Sequence, residues 1–281
     1  MRPQQWGKNL LVFAALIFSK SYLEIDNIMA TLITFIAFCL VSSSVYLMND
    51  YFDRKRDSLN PLKKNRPIAS GKLNGKTVIT AILILLLLSI SLSFTVNANI
   101  GIIILIYFAV NIAYSLELKK IAILEAFVIA FGFLLRSYSG GEAIDVNISS
   151  WLMLCTIFLA LIMTFGKRRH ELVSLGEKAG DNRICLQGYT IETLNMFILI
   201  MSAAGLITYS LYTIDKETVS RYGTTHLIYS TIFVAYGILR FIYLVINEDK
   251  GGKPSKMIFS DKSLLLNGVL WIIFVIIVIS I

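Results

Sequence analysis

Asn49, Asp50, Asp53 and Asp57 form the pattern N-D-x-x-D-x-x-x-D at the end of a long apolar run. On a helix each residue turns by about 100°, so with Asn49 at zero the three aspartates lie at about 100°, 40° and 80°. All four oxygen-bearing side chains therefore share one face. Like charges this close repel unless a cation lies among them. Hard oxygen ligands at this spacing suit Mg2+, which is commonly shared with substrate phosphates. The plainer alternative is a solvated helix end, its acids paired with Arg54, Lys55 and Arg56 in weak surface bridges. The metal reading is favoured because the acids begin where a membrane helix would end, where polar groups are expensive and usually functional.

The next segment, Lys63-Lys64-Asn65-Arg66-Pro67-Ile68-Ala69-Ser70-Gly71, is basic. Cations directly after a metal-binding face suit a polyphosphate. Arginine grips phosphate oxygens with a planar fork, and lysine meets them as a mobile point charge. Arg66 is the best candidate, since Pro67 and Gly71 constrain the chain around it, whereas Lys63, Lys64 and Lys72 read as loop charge. A second group, Lys167-Arg168-Arg169, follows Gly166. Three adjacent cations propose a phosphate seat, although a positive anchor at the membrane surface covers at least one of them. Cys39, Cys155 and Cys185 are scattered, no CxxC pair exists, and there are two histidines. Zinc, a disulfide framework and a His or Cys nucleophile find no support in that pattern.

These side chains need elements to hold them. Of the 281 residues 56% are hydrophobic and 16% charged, with a mean hydropathy of +0.72. Soluble domains carry about 25% charged residues, so a soluble globular enzyme is excluded, as is disorder. The net charge of +8 reflects membrane topology and anionic substrates rather than nucleic acid. Apolar stretches of about 20 residues span a bilayer as helices. Nine are expected, over residues 9–25, 28–48, 76–95, 99–116, 121–140, 150–166, 193–213, 225–247 and 262–281. The sixth is expected to stop at Gly166, ahead of Lys167. With the N-terminus inside, the inner segments hold 21 Lys and Arg, and the outer ones only Lys20, Lys216 and Arg221. Basic residues favour the cytoplasmic side. The expectation is a multi-pass cell-membrane protein with its N-terminus cytoplasmic, its C-terminus outside and its chemistry on the cytoplasmic face. Arg136 falls near the outer end of the fifth span, with Glu142 and Asp145 as candidate partners and no catalytic role. His170 reads as solvated, and Asp261 and Lys262 as loop charge.

Residues 49–57, followed by Arg66-Pro67, resemble the first aspartate-rich motif of the UbiA superfamily of intramembrane prenyltransferases. The resemblance covers nearly the whole chain. It implies an all-α polytopic membrane fold, with nine transmembrane helices around a central cavity open to the cytoplasm. It implies one transferase domain over residues 1–281, with Mg2+ on Asn49, Asp50, Asp53 and Asp57 and the three aspartates catalytic. Aromatic prenyltransferases of the superfamily carry a second, DxxxD-like motif after the sixth span. Here residues 166–172 stand in that place, and Glu171, Glu177 and Asp181 lack that spacing. This departure, with Gln5-Trp6-Gly7-Lys8-Asn9, residues 66–71 and Gly251-Gly252-Lys253-Pro254, resembles the polyprenyl-phosphate phosphoribosyltransferase branch. Tyr114 and Lys119 are similar to a substrate-contacting element of the superfamily, with membrane snorkelling as the alternative. Lys8 has an interfacial anchor as its alternative.

That branch moves 5-phosphoribose from phosphoribosyl pyrophosphate onto a polyprenyl phosphate. The resemblance thus implies Mg2+ for the pyrophosphate and Lys167, Arg168 and Arg169 for the 5-phosphate. The attacking oxygen belongs to a phosphate that is anionic near neutrality, so the shortage of histidine bases is no objection. Two alternatives stay open. A prenyltransferase joining a prenyl diphosphate to an aromatic or other small acceptor would use the same acids. A transporter or lipid flippase is the weaker one, because it would more often place charges or helix breaks at mid-membrane.

Overall fold

The computed structural model describes residues 3–59, 64–176, 179–252, 257 and 260–280. Lys63, Glu177, Lys253 and Pro254 lie outside the described residues, as do the side chains of Arg56 and Asp181. Among the described residues every regular element is helical. The chain divides into two compact units, Met1–Lys119 with Phe131–Ile148, and Lys120–Ala130 with Ser149–Ile281.

The first unit opens with a 3-10 helix, Pro3–Val12, continued by helix α1, Phe13–Phe18. A 3-10 helix has three residues per turn, so Trp6, Asn9 and Val12 stand in one row. That row faces inward: Asn9 and Val12 are fully buried, and Trp6 Nε1 donates to Ser43 Oγ at 3.1 Å. At Lys20 the backbone turns left-handed, with φ of 60°. The first apolar stretch is therefore Gln5–Phe18, earlier and shorter than expected, because Ser19, Lys20 and Ser21 break the run.

Helices α2 (Ile25–Phe52), α3 (Arg54–Leu59), α4 (Gly75–Val96) and α5 (Ala98–Leu116) follow. Small hydroxyls join α2 to α4: Ser89 donates to the Ala37 carbonyl at 2.7 Å and Ser44 to the Ile82 carbonyl at 3.2 Å. In hydrocarbon, close packing and interhelical hydrogen bonds drive helix association. A single residue, Asn97, turns α4 into α5, and its side chain caps α5 by accepting from the Ile100 N–H at 2.8 Å. Phe38, Val41, Ile100, Ile104, Tyr107 and Leu135 form the core. Leu83, Ile84, Leu87 and Leu88 on α4 remain exposed, as a lipid-facing side should.

Helix α6, Leu124–Ala143, begins in the second unit and ends in the first. At Gly140 its backbone meets the first segment so closely that a Cβ would stand 2.1 Å from the Val12 carbonyl oxygen. The second unit continues with α7 (Ser150–Leu175), α8 (Ala179–Asn182), α9 (Ile191–Ile214), α10 (Lys216–Tyr222), α11 (Thr231–Ile246) and α12 (Lys262–Ser280). Here α7 packs along α9, and α11 packs against α9 and α12.

Among the described residues seven helices are long and apolar enough to cross a bilayer: α2, α4, α5, α7, α9, α12 and the stretch His226–Ile246 that contains α11. The other two expected spans fall on Gln5–Phe18, which is short, and on α6, whose apolar character Glu125, Arg136 and Glu142 dilute. The sixth expected span needs a correction. Helix α7 does not stop at Gly166 but runs to Leu175, since Arg168 and Arg169 are buried among partners instead of facing water.

Candidate active site

In the first unit the acidic residues sit where α2 gives way to α3. Asn49 and Asp50 belong to the last turn of α2, Asp53 is its C-cap, and Asp57 lies on α3. The Asp53 N–H donates to the Asn49 carbonyl at 2.9 Å and the Asp57 N–H to the Asp53 carbonyl at 2.8 Å. The helical path thus continues almost unbroken, and the shared acidic face survives. It divides into two pairs. Arg66 Nη1 donates to Asp50 Oδ1 at 3.1 Å and to Asp57 Oδ2 at 2.6 Å. Lys119 Nζ donates to Asp53 Oδ1 at 2.7 Å and to Asn49 Oδ1 at 3.4 Å. Asp50 and Asp57 lie about 20° apart in helical angle, and Asn49 and Asp53 about 40°.

Both cations come from outside the motif rather than from Arg54 or Lys55. Arg54 turns back onto Tyr51, donating to its carbonyl at 2.9 Å and standing 4.2 Å from its ring centroid. The loop carrying Arg66 is closed by Ser70 N–H to the Arg66 carbonyl at 2.8 Å and Leu73 N–H to the Pro67 carbonyl at 3.2 Å. Gly71, with φ of 74°, supplies the left-handed residue that this turn requires. Tyr114 is half-buried near the end of α5. Lys8 Nζ stands 6.0 Å from the Phe133 ring centroid.

No three acidic, histidine or cysteine side chains among the described residues stand close enough to hold a metal as they are placed. The donor chemistry nevertheless fits Mg2+. Mg2+ takes one or two carboxylates and completes its shell with water and substrate phosphates, and here two pairs of hard oxygens each already bridge a cation.

In the second unit Lys167, Arg168 and Arg169 point in three directions, as consecutive residues of a helix must. They do not form one phosphate seat. Arg168 is buried: its Nε donates to Glu125 Oε1 at 2.7 Å, and its Nη1 pairs with Glu171. Glu125 is fully buried and also accepts from Arg183 Nη1 at 3.2 Å. Arg169 is committed to the structure. It reaches Asn195 Oδ1 at 2.8 Å, Asp249 Oδ1 at 2.7 Å, and the Val245 and Ile246 carbonyls at 2.8 and 3.1 Å. These are carbonyls at the end of α11, which lack helical partners. Lys167 is the open member, its side chain 47% exposed and its Nζ 3.9 Å from Glu171.

His170 is not solvated. Its Nδ1 lies 2.6 Å from the Asp249 carbonyl. The two glycines that follow pack on the same helix: a Cβ at Gly251 would meet the Gly166 carbonyl at 2.5 Å, and one at Gly252 the His170 ring at 2.5 Å. Asp261 pairs with Arg240 at 2.7 Å and caps α12 by accepting from the Leu264 N–H. The Arg240 guanidinium holds its carboxyl below the usual range.

Sequence reasoning missed Glu125 and Arg183. Glu125 had a signal, as a lone acid inside an expected span; Arg183 had none beyond loop charge. The turn before Glu125 is strained. Ile123 has φ of 67°, rare for a β-branched residue, and its N–H donates to Tyr189 Oη. Burial pushes Tyr189 up to about 12, so that partner stays neutral. Burial likewise pushes the Cys185 thiol up to about 11, which leaves little thiolate for nucleophilic chemistry near neutrality.

Residues 10–182 match the UbiA prenyltransferase family. The chain is 32% identical over 288 residues to decaprenyl-phosphate phosphoribosyltransferase of Mycolicibacterium smegmatis, covering 97% of this chain and 88% of that protein. It is 30% identical over 279 residues to the enzyme of that name from Mycobacterium tuberculosis, covering 97% and 90%. Among solved structures it is similar to a UbiA homolog from Archaeoglobus fulgidus bound to GPP and Mg2+. The TM-score is 0.71 at 17% identity, over 100% of this chain and 98% of that one. A family match over most of its length, relatives at this identity over nearly all of it, and the all-helical fold agree: the chain belongs to the UbiA prenyltransferase family.

Proposed function

We propose that this chain is a Mg2+-dependent membrane transferase that moves 5-phosphoribose from phosphoribosyl pyrophosphate to a polyprenyl phosphate. The observation that carries the reading is its likeness, over 97% of its length, to enzymes named for that transfer on decaprenyl phosphate. The second unit supports it: cations stand where an aromatic prenyltransferase would need a second acidic pair.

Asn49, Asp50, Asp53 and Asp57 hold the Mg2+, which when bound stabilises charge on the departing pyrophosphate. Arg66 and Lys119 exchange their carboxylate partners for phosphate oxygens of the donor, and Lys8 and Tyr114 add substrate contacts. Lys167, with Arg183 beside the same acidic pair, takes a phosphate monoester. Arg168 positions that cluster through Glu125 and Glu171, and Arg169 holds the loop after α11. An oxygen of the lipid phosphate attacks the anomeric carbon, and the bond to pyrophosphate breaks with its electron pair leaving on pyrophosphate. The nucleophile is already anionic, so no side chain has to take its proton.

The first segment and α6 complete nine spans with the N-terminus cytoplasmic, and residues 1–281 act as one transferase domain. The excess of Lys and Arg in the inner segments, 21 against three, supports this orientation. The test is a donor swap on purified protein in detergent with Mg2+. One tube holds labelled phosphoribosyl pyrophosphate and a polyprenyl phosphate; the other holds a prenyl diphosphate and 4-hydroxybenzoate. Labelled lipid in the first tube alone is expected. Product in the second tube alone would keep the family and overturn the donor assignment.

A further inference from the structure

Arg136 is a charged side chain at membrane depth, and the transferase reading gives it nothing to do. It lies 12 residues into α6, about 18 Å along the helix from its start, and is 5% exposed. The sequence suggested Glu142 or Asp145 as partners. Glu142, six residues on, points about 240° round the helix and instead accepts from Asn99 Nδ2 at 2.8 Å. No carboxylate of the described residues pairs with Arg136. Its partners are neutral: Nε donates to Asn9 Oδ1 at 2.7 Å, Nη1 to the Gly132 carbonyl at 2.5 Å and Nη2 to Tyr107 Oη at 2.7 Å. Its guanidinium carbon lies 4.8, 5.5 and 5.9 Å from the ring centroids of Tyr107, Phe133 and Phe38. Aromatic faces and oriented dipoles thus do the work of a counter-ion.

Burying a charge at this depth is costly, and such residues serve a purpose. The bond to Asn9 indicates which one. Asn9 sits in the inward row of the 3-10 helix, 0% exposed, and also donates to Cys39 Sγ and Ser42 Oγ, each at 3.3 Å. Ten residues of 3-10 helix are unusual, since runs beyond three or four are uncommon. Something outside the segment must hold it in that form. Asn9 is bonded on both sides, and its neighbour Lys8 leans over Phe133, the same ring that Arg136 covers.

We propose that Arg136 is a positioning residue, clamping Asn9 and thereby fixing the turn that carries Lys8. Its contribution to turnover rests on the reading of Lys8 as a substrate contact, here assigned to the donor; its control of the segment does not.

Two readouts test this. Trp151→Phe with Trp271→Phe leaves Trp6 as the one tryptophan of three. In that background Arg136→Lys keeps the charge but lacks the fork that reaches Asn9, Gly132 and Tyr107 together. A red shift of Trp6 emission is expected, and the same shift from Asn9→Ala, which serves should Arg136→Lys fail to fold. In the transfer assay Arg136→Lys is expected to lower kcat/KM for the donor by up to about 10²-fold and to leave the KM of the lipid unchanged. In a Lys8→Ala background it should cost nothing further. Unchanged Trp6 emission in both variants overturns the proposal. So does an equal loss of donor kcat/KM with and without Lys8, because Arg136 would then act elsewhere. If the unmodified protein transfers no phosphoribose, the transferase reading fails, while Trp6 emission still decides whether Arg136 sets the segment.

Discussion

At the end of α2 the carboxylates hold cations from elsewhere in the chain; within α7 the cations hold carboxylates. The two clusters differ in their access to water. In the first, Arg66 is 32% exposed against a buried Asp57 (4%), and Lys119 14% against Asp53 at 27%, whereas in the second Arg168 is 2% and Glu125 0%. Partly exposed ion pairs contribute about 0–1 kcal/mol, so a phosphate can take the cation from its carboxylate at little cost. A buried pair behaves otherwise, because removing one partner strands a charge in a medium that cannot solvate it. The Lys119–Asp53 pair can therefore exchange partners and the Arg168–Glu125 pair cannot, which leaves the more exposed Lys167 and Arg183 to meet a ligand in the second cluster. Charge density along the chain says nothing of this difference.

Five substitutions would sharpen or break that contrast. Glu125→Gln leaves Arg168 and Arg183 without their shared carboxylate, and a loss of about 3–5 kcal/mol of stability is expected, read as a fall in thermal midpoint in detergent. Arg168→Ala should behave in the same way. Asp53→Ala should lower kcat by about 10²–10³-fold while the midpoint stays in place. A midpoint that fell with Asp53→Ala and held with Glu125→Gln would reverse the assignment of the two clusters. Gly251→Ala forces a methyl onto the Gly166 carbonyl, and overpacking of this kind costs about 1–3 kcal/mol. Chemical denaturation should register it without a change in the KM of the donor. Lys167→Ala is the mildest. It should raise the donor KM by about tenfold, the effect of one lost charged contact of roughly 1.4 kcal/mol, and leave the fold untouched. A normal donor KM in this variant would remove Lys167 from the site.

Much of the acidic cluster was legible beforehand. The angles of Asn49, Asp50, Asp53 and Asp57 on a helix predict a shared face, because that geometry is local. Arg66 and Lys119 stood out as substrate-binding candidates, but their seat on these pairs was not legible, since they arrive from 16 and 66 residues away. Lys167, Arg168 and Arg169 misled because adjacency in sequence suggests common purpose, whereas a helix separates neighbours by about 100° each. The Gly251-Gly252 pair stood out as a motif, but its reason, a loop lying on the backbone of α7, is a contact between distant segments.

The sequence by itself determined that this is an all-helical membrane chain, where its apolar segments lie and which acids share a face. Those properties depend on run length and helical period, which a few neighbouring residues set. Tertiary structure decided which charges are free to meet a ligand. It put Glu125 under Arg168, Asn195 and Asp249 around Arg169, and Asn9 against Arg136, while leaving Lys167 open. The physical reason is that the cost of a charge depends on what surrounds it. For each of these side chains the surroundings come from segments far away along the chain.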